Sequence, residues 1–282
     1  MAAGRVRRLA AQLEARPVAG ELAPLAGKVA IVTGASSGVG AALSRRLAER
    51  GCSVVINFSK SADDAAKVAE GCSATGAQVL LCQADVATDA GCEKLVAETV
   101  KRFGRVDFLV NNAGTTKFVH HGDLEGLNSA DFRRIYDLNA IGAFNMIRLC
   151  APHMKKAGGG RIVNVSSVAG AYHTVGSSVA YLMSKAALNA LTAVMAKVLG
   201  PEIVVNAVCP GFIEGRWLRE GMGPDLYDYV KERLETSIPM KAVATPDKVA
   251  ATILMLLEAG ETQITGQCIV CDGGMGLMRG PS

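Results

Sequence analysis

The stretch Thr33-Gly34-Ala35-Ser36-Ser37-Gly38-Val39-Gly40 separates two runs of different character. Residues 28–33 are mostly apolar and β-branched, which predicts a buried strand. Residues 39–50 repeat apolar side chains at helical spacing, which predicts an amphipathic helix. Glycine lets the backbone turn sharply between such elements and approach a neighbouring group closely. The stretch therefore predicts a strand–turn–helix unit of the kind from which α/β folds are built.

The same alternation continues to the end of the chain. Strands are predicted at 28–33, 53–58, 78–83, 106–110, 161–165, 203–208 and 267–271, and helices at 39–50, 62–72, 89–103, 130–155, 179–199, 226–234 and 246–258. Short apolar strands separated by helices favour a parallel sheet with helices on both faces. No Pro/Ser-rich linker divides the chain. We predict an N-terminal extension (1–24) and one doubly wound, Rossmann-type α/β domain (25–282) with a seven-stranded parallel sheet.

Composition excludes several classes of protein. The net charge is only +4 over 282 residues and the basic residues are spread out, so no nucleic-acid partner is expected. We find no apolar stretch of transmembrane length and expect no membrane partner. The eight cysteines are scattered, which favours reduced thiols and a cytoplasmic protein. Residues 1–20 fit either an amphipathic targeting presequence or a short helix that packs on another subunit.

The glycine turn is the first candidate binding site. In doubly wound folds, ligands bind beyond the carboxyl ends of the strands. Glycines at a helix N-terminus suit the charge and close approach of a pyrophosphate, which predicts a dinucleotide. The spacing here is G-x-x-x-G-x-G rather than the usual G-x-G-x-x-G, so a purely structural turn remains an alternative.

The end of the second strand bears on the choice of dinucleotide. NAD sites usually place an acidic residue there to bind the ribose 2′-hydroxyl. This chain has Asn57-Phe58-Ser59-Lys60 instead. Hydroxyl and ammonium groups favour a 2′-phosphate, so NADP(H) is preferred and NAD(H) remains possible. The alternative is that Lys60 is a solvated loop lysine and that the uncharged Ser37 contributes nothing to this choice.

Further candidates follow the later strands. Asp85-Val86 suits an adenine edge, and the small residues of Asn112-Ala113-Gly114 admit a flat ligand. Pro210-Gly211 follows the sixth strand. His120 and His121 are placed to rim the pocket, but no carboxylate cluster accompanies them, so no metal is expected. The Cys268 to Cys271 spacing has no partner pair that would complete a zinc or redox site.

Tyr181 and Lys185 are one helical turn apart, and Ser167 precedes the tyrosine by fourteen residues. On a helix the two side chains share a face. A neighbouring ammonium favours the tyrosinate and lowers the phenol pKa, which suits a general acid/base. The alternative is an ordinary exposed pair on a helix.

Taken together and in this order, these motifs resemble the short-chain dehydrogenase/reductase family from about residue 25 to residue 274, in particular the group around β-ketoacyl-acyl-carrier-protein reductases. The resemblance implies that Tyr181 donates a proton to a carbonyl oxygen and that Lys185 lowers its pKa and binds the nicotinamide ribose. It implies that Ser167 binds the substrate oxygen, rather than its neighbour Ser166, and that Asn139 holds a water through a local helix distortion. The implied cofactor-binding residues are Gly34, Ser36, Ser37, Gly38, Val39, Gly40, Asn57, Phe58, Ser59, Lys60, Asp85, Val86, Asn112, Ala113, Gly114, Tyr181, Lys185, Pro210, Gly211 and Ile213.

The chain departs from that family pattern on the substrate side. The serine-to-tyrosine spacing is one residue longer, and this loop contains His173. No threonine follows Pro210-Gly211 at the expected place, which leaves the backbone of Ile213 to contact the carboxamide. Residues 212–235 would form a mobile lid, in which Phe212 and Trp217 either contact an apolar or ring-shaped substrate or pack the lid on the domain.

The resemblance implies an NADP(H)-dependent oxidoreductase that reduces a small-molecule ketone to a secondary alcohol. An NAD(P)-dependent sugar or hydroxysteroid dehydrogenase is the alternative enzyme. A dinucleotide sensor without catalysis would not need the complete set of Asn139, Ser167, Tyr181 and Lys185. Helices 130–155 and 179–199 would form subunit interfaces in a homotetramer or homodimer.

Overall fold

Strands and helices alternate throughout the computed structural model, which describes residues 24–172, 174–259 and 263–278. The strands are β1 (Val29–Val32), β2 (Ser53–Phe58), β3 (Val79–Gln83), β4 (Phe108–Asn111), β5 (Gly160–Val165), β6 (Ile203–Pro210) and β7 (Cys268–Cys271). The helices are α1 (Gly38–Glu49), α2 (Ala62–Ser73), α3 (Asp89–Phe103), α4 (Ser129–Tyr136), α5 (Gly142–Lys156), α6 (Val168–Tyr172), α7 (Val179–Leu199), α8 (Arg216–Met222), α9 (Pro224–Ser237) and α10 (Pro246–Glu258). The predicted N-terminal extension lies almost wholly outside the described residues.

The seven strands form one sheet in the order β3-β2-β1-β4-β5-β6-β7, and every neighbouring pair is parallel. All carboxyl ends therefore meet at one edge, and the strand order reverses between β1 and β4. Ligands of such sheets bind in the crevice at this reversal. The predicted doubly wound, seven-stranded parallel sheet is confirmed.

Hydrophobic cores lie on both faces of the sheet. On one face the buried side chains include Leu43 of α1, Val68 of α2 and Ile253 of α10. On the other face they include Leu95 of α3 and Met146 of α5. Because β1 and β4 are covered on both sides, all of their residues are buried.

The predicted helix 130–155 is interrupted in the structure. A π-helical turn, Asp137–Ile141, separates α4 from α5. The segment packs tightly against the loop after β3, where a Cβ at Gly142 would lie 2.3 Å from the carbonyl oxygen of Val86. The wider turn also places the Asn139 side chain in the interior. The short helices α6 and α8 were not predicted because neither is long enough to show a helical repeat.

By length and composition alone, α7 could cross a membrane, so the prediction that no such stretch exists is wrong. The polar side chains of α7 nevertheless bond within the fold. Lys185 Nζ donates to the carbonyl oxygen of Val165, and Thr192 Oγ1 accepts from Asn164 Nδ2 at 2.9 Å. Both partners belong to β5, so α7 packs on the sheet as a core helix does.

Replacement of Gly40 by alanine should lower stability. The new Cβ would lie 2.6 Å from Asn112 Nδ2 and 2.7 Å from the carbonyl oxygen of Gly34. We expect Gly40→Ala to lower the free energy of unfolding by about 1–3 kcal/mol, as overpacking does. Urea unfolding at matched protein concentration measures this change.

Gly71→Ala is the matched control, since Gly71 also lies within a helix. A Cβ added at Gly71 would have Arg45 Nε as its nearest neighbour, at an ordinary van der Waals distance of 3.6 Å. Alanine there should preserve stability or raise it by about 0.5–1 kcal/mol. Equal unfolding midpoints for the two variants would contradict this account of the turn.

Candidate active site

A cavity of about 1940 Å³ opens at the carboxyl edge of the sheet. Most of the residues predicted for the site line it: Gly34, Ser36, Ser37, Gly38, Val39, Asn57, Ser59, Asp85, Val86, Asn112, Ala113, Gly114, Ser167, Tyr181, Lys185, Pro210, Gly211, Phe212, Ile213 and Trp217. Gly40, Phe58, Lys60 and Asn139 are not on its wall, and His173 lies outside the described residues. The fold therefore brings the strand-end motifs and the Tyr–Lys helix together at one cavity.

The glycine turn leaves room for a ligand because its own backbone is packed closely from behind. Gly34 and Gly38 have φ angles of +61° and +56°, which residues other than glycine rarely adopt. A Cβ at Gly34 would lie 2.9 Å from Ala113 Cα, whereas one at Gly38 would meet nothing within 4 Å. No side chain caps the start of α1 at Ser37. A turn with an uncapped helix N-terminus that faces the cavity fits the pyrophosphate of a dinucleotide.

Side-chain amides hold this turn in place. Asn112 Nδ2 donates to the carbonyl oxygens of Thr33 and Gly34 at 2.8 and 3.0 Å. Asn57 Oδ1 accepts from the Gly34 N–H at 3.3 Å, and its Nδ2 donates to the carbonyl oxygen of Ala84 at 3.0 Å. Both ends of the Asn57 amide therefore bond to the backbone and connect the ends of β1, β2 and β3. The amide has no free polar atom for the predicted contact with the cofactor.

The two residues that flank Ser59 differ from the prediction. Phe58 is buried in the hydrophobic core, and Lys60 is exposed away from the cavity wall. Side chains at the end of β2 alternate between opposite faces of the sheet, so only some of these residues can face one ligand. Ser59 lines the cavity, and so do Arg45 of α1 and Lys67 of α2. Sequence patterns gave no signal for these two cations, since each lies on a helix at a distance from the strand-end motifs.

Tyr181 and Lys185 lie in the first two turns of α7. The helix begins after Ser178, whose Oγ accepts from the Tyr181 N–H at 3.3 Å. Lys185 is buried, and its Nζ donates to the carbonyl oxygen of Val165 at 2.8 Å. The same Nζ lies 5.7 Å from the centroid of the Tyr181 ring. The predicted common helix face is thus present at the cavity.

The pKa of Tyr181 differs from the sequence prediction. Burial raises the pKa of Tyr181 to about 12, and a hydrogen bond with Ser167 offsets part of that rise. Burial lowers the pKa of Lys185 to about 8. The predicted lowering of the tyrosine pKa by Lys185 is not met here, because desolvation dominates and the ammonium bonds to a backbone carbonyl. At neutral pH the tyrosine is protonated, the state that a proton donor requires.

The adjacent serines have different partners. Ser166 is buried, and its Oγ donates to the carbonyl oxygen of Lys185 at 3.2 Å. Ser167 is half-buried on the cavity wall, where it accepts from the Ala169 N–H at 3.1 Å and hydrogen-bonds with Tyr181. Ser167 is therefore the serine whose hydroxyl accompanies that of the tyrosine.

Asn139 lies in the π-helical turn, so the helix distortion implied by the resemblance is present. Its side chain is buried and fully engaged. Nδ2 donates to the carbonyl oxygen of Thr115 and to Ser184 Oγ, each at 3.0 Å, while Oδ1 accepts from the Thr115 N–H at 2.8 Å. Asn139 thus ties α7 to the segment after β4, and its contact with a water molecule stays a prediction.

The lid contributes an aromatic wall beside the tyrosine. The Trp217 ring lies 6.1 Å from that of Tyr181 and 5.7 Å from that of Phe118, between ring centroids. A Cβ at Gly221 would lie 1.9 Å from Phe118 Cε2, so α8 packs its backbone directly on this ring. Phe118 was not predicted, because it lies in an irregular segment without a motif. Phe212 instead packs on Tyr227 of α9, at 5.2 Å.

Two further features border the substrate end. His120 and His121 line the cavity as predicted, and His121 Nε2 is buried without a hydrogen-bond partner. Tyr172 Oη donates to Asp272 Oδ2 at 2.6 Å, which fixes the segment that carries Met275 into the cavity wall. Within the described ranges, no three His, Cys, Asp or Glu side chains are grouped as a metal site would require.

Known proteins with similar sequences and structures cover nearly the whole chain. The model of a family described as enoyl-(acyl carrier protein) reductase matches residues 34–276. A Streptomyces violaceoruber protein, "granaticin polyketide synthase putative ketoacyl reductase 2", is 38% identical over 89% of this chain and 96% of its own length. The 3-oxoacyl-acyl-carrier-protein reductase of Staphylococcus epidermidis is 36% identical over 88% of this chain and 98% of its own.

A crystal structure from Burkholderia xenovorans, described as that of a short-chain dehydrogenase/reductase, is also similar. It superposes with a TM-score of 0.81 at 36% identity and covers 89% of this chain and 98% of its own. The family's cofactor is a nicotinamide dinucleotide, and the cradle at the glycine turn fits that group. The chain belongs to the short-chain dehydrogenase/reductase family of oxidoreductases.

Proposed function

We propose that the protein uses NADP(H) to reduce a ketone to a secondary alcohol, with Tyr181 as the proton donor. The observation that carries this proposal is the meeting of Tyr181, Ser167 and Lys185 with the glycine turn at one cavity. The names of the ketoacyl and 3-oxoacyl reductases to which the chain is similar support a ketone as the substrate.

A dinucleotide held at the glycine turn and by Lys185 would supply a hydride from C4 of its nicotinamide to the carbonyl carbon. Tyr181 Oη delivers a proton to the carbonyl oxygen, and Ser167 Oγ donates a hydrogen bond to the same oxygen. Lys185 binds the nicotinamide ribose. Burial lowers the pKa of this ammonium to about 8.

Three features support NADP(H) over NAD(H). No acidic residue ends β2, where Asn57 stands in the place of a ribose-binding carboxylate. Ser37 and Ser59 present hydroxyl groups to the cavity, and Arg45 and Lys67 add positive charge to the same wall. Lys60, which lies off this wall, has no part in the proposal.

The aromatic wall of Phe118 and Trp217 favours an apolar carbonyl substrate. A hydroxysteroid dehydrogenase is the second candidate, since a flat apolar ring system suits such a wall better than a polar sugar does.

We also propose assembly into a homodimer or homotetramer in the cytoplasm. Met183, Val194 and Val198 are exposed apolar residues of α7, and Phe144 is exposed on α5. Apolar surface of this kind is usual at subunit interfaces. The six buried, unpaired cysteines are compatible with a reducing compartment.

A panel of carbonyl compounds tests the proposed reaction. We expect the purified protein to oxidise NADPH in the presence of β-ketoesters, diketones or cyclic ketones, with a higher kcat/KM for NADPH than for NADH. Loss of the absorbance of the reduced nicotinamide measures the rate. Oxidation of alcohols with NAD but no reduction of any ketone would contradict the proposal and favour the dehydrogenase alternative.

The two serines should separate catalysis from stability. Ser167→Ala removes the hydroxyl beside Tyr181, so kcat should fall by about 10²-fold or more while stability changes little. Ser166→Ala removes a buried hydrogen bond to the Lys185 carbonyl oxygen, so it should lower the free energy of unfolding by about 1 kcal/mol. Steady-state assays of NADPH oxidation measure kcat for both variants, and thermal unfolding measures their stability. A larger loss of kcat in Ser166→Ala than in Ser167→Ala would contradict the assignment of Ser167 to the substrate oxygen.

A further inference from the structure

An ion pair connects the lid to the opposite wall of the cavity. Arg216 Nη2, at the start of α8, lies 3.2 Å from Asp64 Oδ2 in the first turn of α2. The two residues are 152 positions apart in sequence, and both line the cavity. Because α2 follows directly after β2 and Ser59, this contact lies at the end of the cavity where we place the adenosine ribose.

The basic side chains around the ribose end of the cavity differ in whether they already form ion pairs. Arg46 donates to both carboxylate oxygens of Asp247. Arg45 and Lys67 form neither a hydrogen bond nor an ion pair with any residue that the structure describes. Among the described residues, the acidic partners of Arg216 are Asp64 and, at 3.9 Å, Glu220. Three cations are therefore available to an anion that enters here.

The Arg216–Asp64 pair is easily exchanged. The side chains are 63% and 36% exposed, and ion pairs in such positions contribute little to stability. A phosphate dianion carries more charge than a carboxylate and accepts two parallel hydrogen bonds from a guanidinium. An arriving phosphate would displace Asp64 from Arg216, and the remaining carboxylate would oppose it.

We infer that Arg216 is a specificity-determining residue that binds the 2′-phosphate of NADP(H), with Asp64 as its partner in the cofactor-free protein. The inference rests on the proposed use of NADP(H). It also links the two ends of the cavity, because Trp217 follows Arg216 directly and lies against Tyr181. Binding of the phosphate at the ribose end thereby holds the aromatic wall over the proton donor.

Trp217 is the only tryptophan of the chain, so its fluorescence reports ligand binding without turnover. Dissociation constants for NADPH, NADH and adenosine 2′,5′-bisphosphate can be measured in this way on the full-length protein. Arg216→Gln should weaken binding of NADPH and of the bisphosphate about tenfold, while binding of NADH changes by less than about twofold. Asp64→Asn should strengthen NADPH binding, since it removes the competing carboxylate.

Arg219→Gln is the matched control on the same helix. Arg219 pairs with Asp228 at 2.8 Å and is not on the cavity wall, so this variant should bind both dinucleotides as the wild type does. The opposite signs expected for Arg216→Gln and Asp64→Asn are decisive, because a simple latch between lid and domain would be broken by either change. Shifts of the same sign in both variants, or an equal loss for NADPH and NADH in Arg216→Gln, would overturn the inference.

The wild-type protein separates this inference from the proposed function. If the wild type binds NADPH no more tightly than NADH, the proposed cofactor preference is wrong and the inference falls with it. If the wild type prefers NADPH and Arg216→Gln keeps the same preference, only the role of Arg216 is wrong.

Discussion

The side-chain amides of Asn57 and Asn112 hold the glycine turn, and the rest of the site depends on that turn. They bond to the backbone of Gly34 from either side of β1, Asn57 in β2 and Asn112 just after β4. A buried polar group left without its partner costs about 1–3 kcal/mol, so these contacts strongly favour one conformation of the turn. With the turn fixed, Gly34 packs against Ala113, and the segment after β4 lines the cavity.

From β4 the contacts continue to the helix that carries Tyr181 and Lys185. A Cβ at Gly114 would lie 3.4 Å from Asn139 Oδ1 and 3.6 Å from Lys185 Nζ, so this glycine brings the strand end against the π-helical turn and α7. The binding turn and the Tyr181–Lys185 pair are thus parts of one packed edge. Burial in that edge raises the pKa of Tyr181 and lowers the pKa of Lys185, so the lysine holds its proton less firmly than an exposed lysine does.

Much of this could be predicted from local patterns. The alternation of strand and helix patterns predicted the sheet. The glycine spacing predicted the dinucleotide turn, and the interval between Tyr181 and Lys185 predicted the pair on one helix face. The features that the sequence did not predict depend on contacts between distant segments. The π-helical turn at Asn139 interrupts a continuous apolar pattern, and Phe118, Arg45 and Lys67 reach the cavity from segments without a motif. Asn57 was assigned to the ligand because its position was visible in the sequence, whereas its hydrogen-bond partners were not.

The most direct test of the account is the effect of Tyr181→Phe on binding and turnover, measured on the same protein. The phenyl ring preserves the packing against Trp217 but removes the hydroxyl. We predict that NADPH binds with nearly unchanged affinity, while reduction of the best ketone substrate slows by about 10²- to 10⁴-fold. Turnover at the wild-type rate with intact NADPH binding would contradict the claim that Tyr181 donates the proton.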